Sequence, residues 1–357
     1  MTGFASRIEK DVPLAQWTTL GLGGPAAELV RAQDEATVRE AVAYARDRRT
    51  SLRVLGEGSN VVVADAGFDG LVLRMETRGT QLRRDGDRVL VTVAAGEPWD
   101  LLVARTVADG LAGLECLSGI PGLVGATPIQ NVGAYGQQVS DTIVSVRTLD
   151  RETGEVAAVA ATACGFDYRD SAFKRDAAAR RIVLAVTFAL RPGGAPTLRY
   201  GELVKALREA GNDRPSLSEV RTTVLSLRRK KSMVIDPADE NRRSVGSFFT
   251  NPIVSAAEAD GVAASALAAG LVRHADEVPR YPASSGVKLA AAWLIEKSGT
   301  KKGERRGAVG VSSRHTLALV HHGGGTTAEL LALADEIRSR VLRTFGVELA
   351  MEPVRVG

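Results

Sequence analysis

Two glycine-rich stretches carry the residue types and spacing in this 357-residue chain that could do chemistry. The first, Gly56-Glu57-Gly58-Ser59-Asn60, follows the apolar run Leu52 to Leu55, which reads as a strand. Glycines at 56 and 58 let successive N–H groups turn into one hollow that holds an anion such as a phosphate, and Ser59 and Asn60 add side-chain hydrogen bonds. A helix N-terminus is not the holder. Val61-Val62-Val63 reads as a second strand where a Rossmann unit would open a helix. Taken alone, the segment fits a tight strand-to-strand turn at least as well.

The second stretch, residues 113–143, holds Gly119-Ile120-Pro121-Gly122, then Gly125-Ala126, then Gln130-Asn131 and Gly133-Ala134-Tyr135-Gly136. It is too long and too apolar for a solvated linker. That many glycines cost backbone entropy unless something must approach the chain closely. Two such loops fit a long, thin ligand lying between two domains, and a dinucleotide has that shape. GLGGPA (residues 21–26) formally matches GxGxxA, yet PLAQWTT before it is no buried strand and PAAELV after it reads as one, so it marks a turn. Cys116 and Cys164 are too isolated for a disulfide framework or a zinc site and read as small buried hydrophobes. His274, His315, His321 and His322 show no ligand spacing, so metal catalysis is not expected.

Residues 26–75 read as strand, helix, strand, strand, with Val38, Ala41, Val42 and Ala45 on one helical face. A second unit opens near residue 76. RVLVTVAAG leads into a helix with Pro98 near its start and Gly110 at its end, and strands return at IVSVRTLD and RIVLAVTFALRP. Residues 216–231 read as a helix with a Ser216/Glu219 capping box. A third region holds SVGSFFTNP, a predicted helix over VKLAAAWLIEKSG, a predicted strand over HTLALVHH, and a long helix from Thr326 with Glu329 completing a second box. Lys+Arg 46 against Asp+Glu 42 leaves +4, which suits small anionic ligands and not nucleic acid. No apolar run is long enough to span a membrane, and MTGFASRIEKD lacks the apolar core of a secretory signal, so a cytoplasmic protein is expected.

Several motifs in one fixed order resemble the UDP-N-acetylenolpyruvoylglucosamine reductase family. They are TTLGLGGPAA, LGEGSN, GLECLSGIPGLVGATPIQNVGAYGQ, CGFDYRDSAFK, YGEL, SVGSFFTNP, AAAWLIEKSGTKKGERRG and the terminal MEPVRVG, covering nearly the whole chain. The resemblance implies an α+β protein. Its FAD-binding fold of the vanillyl-alcohol-oxidase type is made of two subdomains (1–75 and 76–225), joined by a smaller α+β substrate-binding domain (226–357). It also implies FAD and NADPH as cofactors and a monomer that reduces UDP-N-acetylglucosamine enolpyruvate for peptidoglycan synthesis, as a UDP-N-acetylmuramate dehydrogenase. Hydride would pass from NADPH to flavin N5 and on to the terminal enolpyruvyl carbon, followed by protonation of the adjacent carbon.

By the same resemblance, Gly56, Glu57, Gly58, Ser59 and Asn60 would cradle the FAD diphosphate. Ser118, Gly119, Ile120, Pro121, Gly122, Gly125, Ala126, Gln130, Asn131, Gly133, Ala134, Tyr135 and Gly136 would line the rest of the cofactor. Glu57, where the family more often has glycine, is expected to point to solvent. Arg169 matches the arginine that binds the substrate carboxylate, a task a planar guanidinium suits. Ser247 matches the proton donor, with Phe248 and Phe249 packing beneath it. Glu352 matches the third catalytic residue, although LAMEPVRVG departs from the commoner LEPE run and Glu348 is the alternative. Tyr168, Tyr200, Lys231, Asn251, Lys302 and His315 would grip the substrate or the nicotinamide nucleotide, with Lys230 and Lys301 as neighbours one register away. Tyr200, 32 residues after Tyr168, suggests the subclass with a tyrosine-bearing substrate loop.

Overall fold

The computed structural model describes residues 3–176, 180–283 and 285–357. The chain forms two compact units: Met1–Val12, Ala26–Gly58 and Phe68–Ile235 make the first, and Pro13–Pro25, Ser59–Gly67 and Asp236–Gly357 make the second. The expected boundary at 225/226 falls inside a helix, Leu217–Lys230, whose residues all stay with the first unit.

In the first unit, strands Pro25–Ala32, Phe68–Met75 and Leu52–Leu55 pair in parallel. The crossover from Pro25–Ala32 to Leu52–Leu55 is helix α1, Glu35–Arg48. Asp34 caps it by accepting the Thr37 N–H at 2.7 Å, and Val38, Ala41, Val42 and Ala45 are buried at helical spacing. A second, antiparallel sheet runs Val156–Ala160, Ile143–Asp150, Arg181–Pro192, Arg88–Ala94, Thr80–Asp85. Helix α2, Trp99–Ala108, follows the strand Arg88–Ala94. One core joins both sheets, from Val30, Leu71 and Leu73 through Trp99 and Leu102 to Val146, Val186 and Phe188. The residues expected as two flavin subdomains therefore share a single apolar interior. After the four-residue helix α3, Ala172–Arg175, helices α4 (Gly201–Glu209) and α5 (Leu217–Lys230) close a small core over Cys116.

The second unit holds two three-stranded sheets: Ile253–Val254, Gly286–Leu289 and Arg280–Ala283, and Arg305–Arg306, Val309–Val311 and Leu319–His321. Its helices are α6 (Ala256–Ala268), α7 (Ala291–Lys297) and α8 (Thr327–Phe345). The predicted helix over 287–299 is shorter than expected. Val287 to Leu289 belong to a strand, and Asn251 Oδ1 starts the helix by accepting the Ala291 N–H at 2.9 Å. The predicted strand over 315–322 shrinks to Leu319–His321, because a turn closes from Ala318 N–H to His315 O at 3.0 Å. Helix α8 has the expected Thr326/Glu329 box and a second brace from Asp65, whose carboxylate accepts the N–H groups of Thr327 and Ala328 at 2.7 and 2.9 Å. The strand Val61–Val63 pairs in parallel with Val354–Val356. No helix follows the first glycine loop because the chain there leaves the first unit and becomes a strand of the second.

Candidate active site

In the first unit the two glycine loops are tied together by a side chain expected to face solvent. The Glu57 carboxylate accepts the Gly122 N–H, and Arg74 donates to the Gly56 carbonyl. The correction has a plain cause: the Gly122 N–H is a donor that needs an acceptor, and Glu57 is within reach. Asp100 braces the second loop from the other side. Its Oδ1 accepts the Gly119 N–H at 2.6 Å, and Arg221 grips both carboxylate oxygens at 2.6 and 2.9 Å. Burial alone would push this carboxyl up, but the Arg221 and Gly119 bonds outweigh it and hold Asp100 below the usual aspartate value. Gly119 needs its glycine, at φ +72° with Leu225 only 2.7 Å from where a Cβ would stand. Gly125 needs its own for packing, since a Cβ would lie 2.5 Å from that of Ala95. Ser118 is buried and bonded to the Glu115 carbonyl at 2.6 Å. Ile120 and Pro121 are half-buried, and Ala126 is exposed.

Farther along the loop, Asn131 takes a left-handed backbone and its amide donates to the Asp167 carbonyl at 2.9 Å. That bond ties the loop to the segment that carries Arg169. Arg169 itself sits at φ +53°, an unfavourable region for a residue other than glycine that persists where surrounding bonds fix it. Its Nη2 donates to the Gly133 carbonyl at 2.7 Å, and Lys174 Nζ holds the Arg169 carbonyl at 2.8 Å and Gln130 Oε1 at 3.2 Å. The Tyr168 ring lies 5.8 Å from the Arg169 guanidinium. Gly133 and Ala134 pair with Gln138 and Gln137 in a two-residue ribbon whose turn is Tyr135-Gly136. Tyr135 meets Tyr200 edge-on with ring centroids 5.4 Å apart. Tyr200 is the N-cap of α4, and Lys231 Nζ bonds Glu202 in the first turn of that helix at 2.7 Å. Lys231 and Tyr200 are thus brought to one place, while Lys230 is exposed.

Sequence reasoning missed Arg228. Burial pulls its pKa down to about 10, and its Nε is buried with no hydrogen-bond partner among the described residues, 3.4 Å from where a Gly119 Cβ would be. Leu217, Val220, Val224 and Leu227 form the inward stripe of α5, and Arg228, four residues after Val224, continues that face. A cation at an inward helical position was the signal.

In the second unit, the Phe248 backbone is bridged on both sides: its N–H to the Leu317 carbonyl at 2.7 Å, its carbonyl to the Glu352 N–H at 3.0 Å. Phe249 pairs with Met351, and Thr250 N–H reaches the Ala350 carbonyl at 3.0 Å. Ser247 therefore precedes a residue strapped to Glu352, and half-buried Ser247 stands next to two fully buried rings in T-shaped contact at 5.4 Å. The Val354 N–H bonds the Asn60 carbonyl at 3.0 Å, so Ser59 and Asn60, the outer half of the first glycine loop, join the segment that carries Glu352. Glu348 is exposed. His315 opens the turn that leads to Leu317, and Lys302 lies 3.5 Å from Glu296, which also receives the Thr316 hydroxyl at 3.2 Å.

The donor set of the first unit fits a dinucleotide with a diphosphate: braced glycine loops beside Arg228, whose buried Nε has no hydrogen-bond partner among the described residues. Known proteins agree with this class. Residues 26–160 match the family described as FAD binding domain, and residues 236–356 match that described as UDP-N-acetylenolpyruvoylglucosamine reductase, C-terminal domain. A reductase of that name from Saccharopolyspora erythraea is 52% identical over 96% of this chain and 94% of its own. One from Thermobifida fusca is 49% identical over 98% of each. The solved reductase of Thermus caldophilus shares the fold, with TM-score 0.64, 24% identity and coverage of 98% and 99%. The chain belongs to the UDP-N-acetylenolpyruvoylglucosamine reductase family. It is an oxidoreductase of the flavoprotein class whose cofactors are FAD and NADPH. Among the described residues, no helix is long and apolar enough to cross a membrane.

Proposed function

We propose that the protein reduces UDP-N-acetylglucosamine enolpyruvate to UDP-N-acetylmuramate, with Ser247 as the proton donor, Arg169 as the carboxylate anchor and Glu352 as their acidic companion. The observation that carries this is the strapping of Phe248 to both Leu317 and Glu352, which fixes the backbone on which Ser247 stands. Gly56 to Asn60, the Gly119–Gly122 turn and Arg228 would hold FAD. When bound, that cofactor supplies the relay that accepts hydride from NADPH and passes it to the terminal enolpyruvyl carbon.

The rest is work for side chains. Hydride addition leaves negative charge on the carbon next to the carboxylate, and the Arg169 guanidinium stabilises the carboxylate into which that charge spreads. The Ser247 hydroxyl gives its proton to this carbon, a base strong enough to take it from a serine, and water restores the proton. Lys231 and Lys302 already hold partly exposed carboxylates, Glu202 and Glu296. Such pairs are worth at most about 1 kcal/mol, so a phosphate can displace the partner. With its oxygen capping α7, Asn251 would offer its amide NH2 to ligand, and Tyr168, Tyr200 and His315 would complete the grip.

An oxidase of the same flavin fold would tether its cofactor through His or Cys. Burial raises the Cys116 thiol to about 12, and its Sγ is bonded to the Thr197 carbonyl at 3.1 Å, which does not favour a thiolate tether. The test is an anaerobic spectral titration: NADPH should bleach the yellow protein and the enolpyruvyl nucleotide should restore the colour. Rapid recolouring by air, with none by the nucleotide, would favour the oxidase.

A further inference from the structure

Glu115 is fully buried and takes no part in the chemistry above. Its Oε1 accepts the Thr197 N–H at 2.7 Å and Gln137 Nε2 at 3.2 Å, and Oε2 accepts the Gly113 N–H at 2.8 Å. Gln137 closes the circle: Oε1 takes the Cys116 N–H at 2.9 Å, and Nε2 reaches the Thr197 hydroxyl at 3.1 Å. The Cys116 thiol donates to the Thr197 carbonyl at 3.1 Å. Thr197 therefore has its N–H, its carbonyl and its hydroxyl each tied to a buried partner. Directly beyond it Leu198, Arg199 and Tyr200 are exposed. Beyond Cys116 and Leu117 come Ser118 and the Gly119–Gly122 turn, and Ser118 Oγ is bonded to the Glu115 carbonyl at 2.6 Å.

We propose that Glu115, Gln137 and Cys116 are positioning residues for substrate: they make Thr197 the fixed root of the tyrosine-bearing segment and tie that root to the cofactor loop. From the root, three residues of extended chain allow Tyr200 a reach of about 10 Å. Its position is thereby limited to a small arc that includes its contact with Tyr135. A buried carboxylate with three N–H donors is a stiff anchor, because any displacement leaves a charge and a donor unpaired. The inference rests on the substrate role given to Tyr200 above.

The test uses the full-length, FAD-loaded protein and three variants. Thr197→Val keeps the N–H and loses the hydroxyl. Glu115→Gln puts an NH2 where a buried donor already points. Tyr200→Ala is the control for the underlying reading. Expected are a KM for UDP-N-acetylglucosamine enolpyruvate raised about tenfold in all three, unchanged bleaching by NADPH in Thr197→Val, and slow hydrogen exchange at the Thr197 amide that quickens in Glu115→Gln. If Tyr200→Ala leaves KM unchanged, the substrate reading falls and takes the inference with it. If Tyr200→Ala raises KM while Thr197→Val does not, the inference alone is overturned. A Thr197 amide that exchanges as fast as those of Leu198 and Arg199 overturns it too, as does slower NADPH bleaching in Thr197→Val, which marks a general loss of structure.

Discussion

In the proposed reaction Ser247 would contribute a proton at one step only. Ser247→Ala should therefore leave bleaching by NADPH intact and slow recolouring by the enolpyruvyl nucleotide by about 10²-fold or more, the usual contribution of a positioned general acid. Stopped-flow absorbance reads both steps, and equal slowing of the two would contradict the assignment. Glu57 would act on cofactor binding. Its carboxylate bonds the Gly122 N–H and joins the two glycine loops. A hydrogen bond to a charged acceptor is worth about 1.5–3 kcal/mol. Glu57→Ala should accordingly weaken FAD binding roughly tenfold or more, and Glu57→Gln, which keeps an acceptor, should recover most of it. FAD affinity measured by fluorescence on the apoprotein checks this. Tighter binding in Glu57→Ala would mean that the carboxylate repels the diphosphate more than it orders the loop.

At the scale of elements, the second glycine loop hangs from α2 and α5 through Asp100 and Arg221. Against the cost of burial, the Arg221 guanidinium and the Gly119 N–H hold the Asp100 carboxyl below the usual aspartate range. A depressed carboxyl stabilises the fold above its unfolded pKa, and that contribution disappears as pH falls through the depressed folded value. FAD should therefore be retained until the pH drops below the ordinary aspartate range, then be released as Asp100 protonates. Asp100→Asn should bind FAD more weakly at neutral pH and lack that acid limb. Equilibrium dialysis across pH, with both proteins, distinguishes the cases. Much of this scaffold was legible in the sequence, because α1, α2, α5 and α8 announce themselves by apolar spacing and capping boxes. Less legible were elements whose start depends on a distant residue. Helix α7 begins where Asn251 caps it, forty positions away in the chain, and nothing local in VKLAAAWLIEKSG says so. The glycine loops could be read as close-approach segments, yet not which approach each glycine serves. Gly125 turns out to admit Ala95, a neighbour set by tertiary packing.

For the whole molecule, the connectivity matters more than the motif order. The chain passes between the two units after Val12, Pro25, Gly58, Gly67 and Ile235, so no single cut separates them. Leu20, Leu22 and Val62 come from the N-terminal part of the sequence but lie in the core of the second unit with Phe248, Leu319 and Ile337. Burying each is worth about 2 kcal/mol. A fragment ending at Ile235 would leave all three without partners, together with the Val61–Val63 strand that pairs with Val354–Val356. Despite holding every residue of the FAD binding domain match at 26–160, the fragment should aggregate or bind hydrophobic dyes strongly, and it should retain little flavin. Size-exclusion chromatography and dye fluorescence of the fragment against the full chain are the measurements. A monomeric, yellow, dye-silent fragment would mean that the two inserted segments fold back onto the first unit without the second, and the two-unit reading of the core would have to be redrawn.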